Sequence, residues 1–112
     1  MANLTPTVIS RAGVATADVA ASSGGDGFPN SGRDFAEFFN DSGSDIDVFL
    51  VIQEKVDGIT PDPKIATVPA GVRVKIGPFP TDVYNDDNGM MQFTYSAYAD
   101  LFINVFRLTV EN

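Results

Sequence analysis

Residues 64–76 read KIATVPAGVRVKI, and their period decides the fold class. Lys64 to Val68 is a short β-rich run, and Pro69-Ala70-Gly71 is a turn. Val72 to Ile76 then alternates, with Val72, Val74 and Ile76 on the inward face and Arg73 and Lys75 on the outward face. A repeat of two residues is the period of a half-buried strand, and no 3.6-residue period accounts for it.

Working outward, the same pattern recurs. Ile46 to Ile52 places Ile46, Val48, Leu50 and Ile52 on one face, with Asp45, Asp47, Phe49, Val51 and Gln53 on the other. Asp34 to Phe39 is an aromatic-rich run between the turns Pro29-Asn30-Ser31-Gly32 and Asn40-Asp41-Ser42-Gly43. Val56 to Pro63 is a loop with Asp57-Gly58 and two prolines, and Gly77 to Gly89 is a longer irregular stretch. Met90 to Ala97 alternates with Met91, Phe93, Tyr95 and Ala97 together. Phe102 to Val110 is read with Phe106, Leu108 and Val110 inward and Arg107 and Thr109 outward. Asn104 then falls on the inward face and suggests a bulge or a polar edge. Six or seven short strands at this spacing predict an all-β, antiparallel β-sandwich or jelly-roll-like single domain.

The first 27 residues differ. They hold no aromatic residue and end near Ser22-Ser23-Gly24-Gly25, a linker-like run. They are read as an extended N-terminal arm over residues 1–27 preceding a sandwich domain over 28–112, with a disordered tail as the alternative and a poorly capped Ala-rich helix over Val14 to Ala21 as a weaker third. Thr7-Val8-Ile9 is the arm's best strand, and its β-branched side chains suit addition to a sheet edge. On this reading, removing residues 1–24 leaves the domain folded.

Composition narrows the function. The 112 residues include 7 basic and 15 acidic side chains, a formal net charge of -8. Sequence-independent nucleic-acid binding and anionic membranes both need clustered Lys and Arg, so neither partner is expected. There is no Cys and no His, which removes thiolate nucleophiles, Cys-ligated zinc and every His-based triad. No enzyme and no cofactor is expected. Asp82, Asn85, Asp86, Asp87 and Asn88 resemble a calcium loop only in density of oxygen. Aligning Gly89 with the glycine of an EF-hand puts Tyr84 at the first ligand position, so no metal is expected there. Glu37, Asp45 and Asp47 have no spacing that makes a glycosidase pair. No secretory signal or apolar span is read near Met1.

What remains points to a protein partner. Lys64, Arg73 and Lys75 concentrate positive charge in an acidic chain, fit for an acidic surface or for another copy, or else are ordinary outward residues. Phe38, Phe49 and Phe79 sit on faces or loops that otherwise read as exposed.

The order of turns carries a resemblance. Phe28-Pro29-Asn30-Ser31-Gly32-Arg33 leads into a strand, followed later by Val68-Pro69-Ala70-Gly71 and Ile76-Gly77-Pro78-Phe79-Pro80. Then come Val83-Tyr84-Asn85-Asp86, an Asn-Gly turn and a final strand with Phe106-Arg107-Leu108. From about residue 26 onward this resembles the capsid decoration, or cement, proteins of tailed bacteriophages. The resemblance implies a structural virion protein, made in the host cytoplasm, that binds the capsid surface across subunit joints. It implies the major capsid protein as partner, and a homo-oligomer (dimer or trimer) as the unit. The alternative is a small β-sandwich of a tail or spike that recognises host glycan; the absence of Trp disfavours it.

Overall fold

The computed structural model describes residues 2–108; the expected roles of Thr109 and Val110 lie outside the described residues. Two packed sheets make one β-sandwich. The first sheet joins β1 (Ala2–Asn3), β4 (Asp26–Pro29), β9 (Met90–Tyr95), β6 (Ile46–Leu50) and β7 (Lys64–Val68), in that order. The second runs β2 (Thr7–Ile9), β10 (Leu101–Leu108), β5 (Asp34–Asn40) and β8 (Arg73–Ile76), with β3 (Val19–Ala20) also paired to β10. A single helical turn, α1 (Thr81–Tyr84), follows β8. Pairing is antiparallel except for β1 with β4 and β2 with β10.

The alternation expected of residues 46–50 and 90–93 positions the core as read: Ile46, Val48, Leu50, Met91 and Phe93 are buried. Pro69-Ala70-Gly71 does more than reverse the chain. It carries it from β7 in one sheet to β8 in the other, and Gly71 N–H donates to the Asn40 carbonyl at 2.7 Å.

Four phenylalanines close the sandwich. Phe93 of β9 has ring centroids 5.8 Å from Phe28, 5.3 Å from Phe38 and 5.6 Å from Phe79. Each ring is essentially fully buried, which stabilises the fold by roughly 1.5–3 kcal/mol per side chain. The exposed placement expected for Phe38 and Phe79 is therefore corrected. Phe38 shares the inward face of β5 with Asp34, Ala36 and Asn40, whose polar ends disguise that face as an outer one. Phe79, although in a loop, turns under the sheets against Phe28 and Tyr84.

The last strand is inverted relative to expectation. Leu101, Ile103 and Val105 are buried, whereas Phe102, Asn104 and Phe106 lie on the opposite face. No bulge is needed: β10 pairs with β5 residue for residue from Leu101↔Asn40 to Arg107↔Asp34.

Residues 2–27 contribute to both sheets. β1 extends the first sheet, β2 and β3 cover one edge of β10, and Ala21 reaches the core. The boundary expected after residue 27 falls inside β4, whose Phe28 is a core ring. Two buried carboxylates accompany these strands. Asp34 is held by Arg107 Nε at 2.8 Å. In Asp26, Oδ2 accepts from Tyr95 O–H and Ser22 N–H, while Oδ1 has no partner.

Two outcomes follow from this packing. Gly71 and Gly77 both have positive φ, 74° and 146°. A Cβ on Gly71 meets open space, but one on Gly77 would lie 2.7 Å from Phe35 Cβ and 2.9 Å from the Asp34 carbonyl. Gly71→Val is expected to cost about 1–2 kcal/mol for backbone strain alone. Gly77→Val adds overpacking and is expected to cost about 3 kcal/mol or more. Denaturant unfolding of the two variants checks the order. Deleting residues 1–24 strips β1, β2 and β3 and bares the edge of β10, so it is expected to lower the melting temperature of the domain. An unchanged melting curve for the truncated chain counts against this.

Candidate functional site

The outward face of the second sheet is built from three cross-strand rows, each a residue of β5 opposite one of β10. Phe39 stacks on Phe102 at one end, with centroids 6.4 Å apart, and Phe35 stacks on Phe106 at the other, at 5.1 Å. Between them lie Glu37 and Asn104. Strand β8 adds Arg73 beside Phe39 and Lys75 beside Glu37. All four rings are only half-buried. Aromatic rows on the solvent side of a sheet are apolar surface beyond what the core requires.

The middle row is an ion-pair network. Arg73 Nη2 donates to Asp18 Oδ2 at 3.1 Å, and Arg73 Nη1 to Glu37 Oε1 at 3.1 Å. Lys75 Nζ reaches Glu37 Oε2 at 3.0 Å. Asn104 Nδ2 donates to Asp18 Oδ1 at 2.6 Å. The Arg73 guanidinium also sits 4.4 Å from the Phe39 ring centroid, a cation–π distance. Asp18 comes from the segment before β3, so this network ties the N-terminal segment to three strands of the second sheet. The hydrogen bond from Arg73 holds the Asp18 carboxyl below its ordinary range, and Asp18 in turn raises the Arg73 guanidinium.

Past the Phe35–Phe106 row the face ends in a cleft of about 510 Å³. Its walls are Phe35, Ile76, Pro78 and Leu108, and its rim carries Arg33 and Lys75. Beneath the rim, burial raises the Asp34 carboxyl, but hydrogen bonds from Arg107 and Ser31 outweigh it and leave the group below its ordinary value. Three of the seven basic residues (Arg33, Arg73 and Lys75) stand on this face and rim; among the described carboxylates Asp18 and Glu37 face them there, and the Arg107–Asp34 pair lies beneath. The remainder of the chain is correspondingly more acidic.

Of the residues singled out by sequence, Arg73 and Lys75 belong to this face, but both are paired to carboxylates of the same chain. Lys64 stands on β7 in the other sheet, so the three cations do not form one patch. Phe49 faces outward on the first sheet beside Ile65 and Thr94, half-buried. Phe38 and Phe79 are core, as above. Thr7, Val8 and Ile9 form β2 and add to the edge of this chain's own β10. Sequence reading missed Phe35, Phe39, Phe102 and Phe106. The signal was present, since residues 35–39 and 102–108 are apolar on both alternating faces.

The acidic residues do not converge. Glu37 is taken by Arg73 and Lys75, Asp45 accepts from Ala70 N–H, and Asp47 accepts from Thr67 Oγ1. Asp86 organises its own turn, accepting from Met90 N–H, Asn88 N–H and Gln92 Nε2. Among the described residues no three His, Cys, Asp or Glu side chains cluster as a metal site would require. No family model, curated protein or solved structure matches the chain.

Acid should loosen the N-terminal segment first. A carboxyl with a lowered folded pKa contributes stability above its unfolded value, near 4, and that contribution disappears as pH falls through the folded pKa. Amide exchange of β3 is therefore expected to accelerate in the wild type as pH drops below about 4, relative to intrinsic rates. Asp18→Asn should show faster exchange already at neutral pH and a weaker acid dependence. Identical profiles for the two proteins would remove the role assigned to Asp18.

Proposed function

We propose that the chain is a non-enzymatic structural protein that docks on an assembled protein shell, in the manner of a phage capsid decoration protein. The observation that carries this reading is the outward face of the second sheet, with its two stacked phenylalanine rows around a fixed ion-pair network. An aromatic face already locked by cross-strand stacking loses little side-chain entropy on docking. Its polar centre, satisfied within the chain, sets orientation without leaving isolated charges in the interface. The sequence resemblance supports the same reading, as does a composition without His or Cys. Many identical copies on a symmetric shell supply avidity that one such face lacks.

The glycan-binding alternative gains no particular support from this face, because its aromatic residues are phenylalanines stacked on one another and not a line of exposed rings.

Mixing purified protein with assembled heads and with free capsid subunits tests the proposal. Saturable binding to heads, with little to free subunits, is expected. Phe102→Ser, at the end of the face away from the cleft, should weaken that binding about tenfold or more while leaving a cooperative melt. Equal binding to free subunits, or full affinity in Phe102→Ser, would count against docking through this face.

A further inference from the structure

The segment between β6 and β7 ends in a tight hairpin that the fold itself does not use. Val56 and Ile59 exchange two backbone hydrogen bonds of 2.9 Å each around Asp57 and Gly58. Both turn residues have positive φ, 52° and 76°, the geometry that favours Asp-Gly in two-residue hairpins. Pro61 and Pro63 stiffen the returning leg. The two residues flanking the turn are apolar and bare: Val56 is 63% exposed and Ile59 70%, more than any other large hydrophobic residue described. A rigid turn tipped with two solvent-facing aliphatic side chains is shaped to enter something.

The cleft at the end of the second sheet is the matching recess. Its wall residue Leu108 is itself 52% exposed, and its volume of about 510 Å³ lies within the ~300–1,000 Å³ of clefts that accept a ligand group. The charges also match. Glu54, Asp57 and Asp62 outnumber Lys55 on the hairpin, whereas the cleft rim offers Arg33, Lys75 beside it being already paired to Glu37. Arg33 is exposed and makes no ion pair among the described residues.

Tip and cleft flank the same small helix. Gln53 and Glu54 N–H groups donate to the Val83 carbonyl of α1, at 2.9 and 3.1 Å. At the start of α1, Thr81 lies beside Gly32 of the cleft, where an added Cβ would stand 3.5 Å from Thr81 Cγ2. A knob and a hole that neighbour one short helix permit a two-fold contact in which each copy gives its tip and receives the other's. The two-fold repeats the tip-in-cleft contact, so both tips add toward the roughly 1,200–2,000 Å² of a stable interface.

We propose that the chain pairs with a second copy of itself by reciprocal insertion of the Val56–Ile59 hairpin tip into the partner copy's Phe35–Ile76–Leu108 cleft. This pairing takes Phe35 from the docking face but leaves the Phe39–Phe102 row free, so loss of pairing in Ile59→Asp and loss of shell binding in Phe102→Ser are distinguishable outcomes.

The chain has no cysteine, which makes site-directed cross-linking clean. Ile59→Cys and Leu108→Cys proteins, one carrying a mass tag, are mixed and treated with a short bis-maleimide. A tagged–untagged 59–108 product is expected, at a yield well above that obtained when Ala12→Cys replaces either partner. Sedimentation equilibrium of the cysteine-free protein should show a concentration-dependent dimer. Ile59→Asp should weaken it about tenfold or more with an unchanged circular dichroism spectrum. Phe102→Ser should leave the 59–108 cross-link intact. A monomer at every concentration, a dimer indifferent to Ile59→Asp, growth beyond the dimer, or a 59–108 yield no higher than the Ala12→Cys control would each overturn the proposal.

Discussion

The fold depends on one ring. Phe93 of β9 lies against Phe28 from the neighbouring strand, Phe38 from the facing sheet and Phe79 from the loop that crosses beneath them. A strand, its neighbour, the opposite sheet and a connecting loop are thus fixed by a single buried side chain. The constraint reaches the backbone as well. Gly25 approaches the Phe93 carbonyl so closely that any Cβ there would strike it, so a glycine must precede β4. Because side chains alternate along a strand, the register that turns Phe38, Ile103 and Val105 inward turns the other phenylalanines of β5 and β10 outward. They stand on the outer surface, where they stack in pairs across the strands.

This surplus explains which parts of the structure were legible from the residues. Strands 46–50, 64–68, 73–76 and 90–95 could be read because each has an apolar face and a more polar one, or is bounded by unmistakable turns. The faces of β5 and β10 could not. In β5 the inward set is Asp34, Ala36, Phe38 and Asn40, and the outward set includes Phe35 and Phe39. Hydrophobicity alone assigns these the wrong way round. Asp34 is tolerated inside because Arg107 pairs with it, and Asn40 because its amide donates to the Ser44 and Val68 carbonyls. Both partners are distant or local backbone groups that a linear pattern does not display. The same ambiguity in β10 made Asn104 look like an inward anomaly, when it is the outward partner of Asp18.

The N-terminal segment illustrates a second limit. Short strands of two or three residues carry almost no periodic signal, and Gly-Ser runs read as linkers whatever they do. β-Branched residues at 7–9 did suggest edge addition, and they add to an edge, but to that of the chain's own β10. The decisive feature is a lone Asp18 in an Ala-rich stretch, and its partner Arg73 is 55 residues away. Arg73 and Lys75, which looked available for a partner, are therefore spent internally, and the surface they leave is shaped by aromatic stacking.

An outer face of this kind has a definite physical character. In water the four half-buried rings gain from stacking on each other but still expose apolar area, a cost that docking removes. The ion pairs between the rows are worth little by themselves at an exposed surface. Their contribution is geometric: Glu37 takes both cations of β8, Arg73 lies over Phe39, and Asp18 draws the N-terminal segment against Asn104. A partner approaching this face meets rings whose positions are already set and charges that are already neutralised. Such a surface favours broad, shape-driven contact over recognition of a single charged group, the kind of contact that the proposed docking on a protein shell would use.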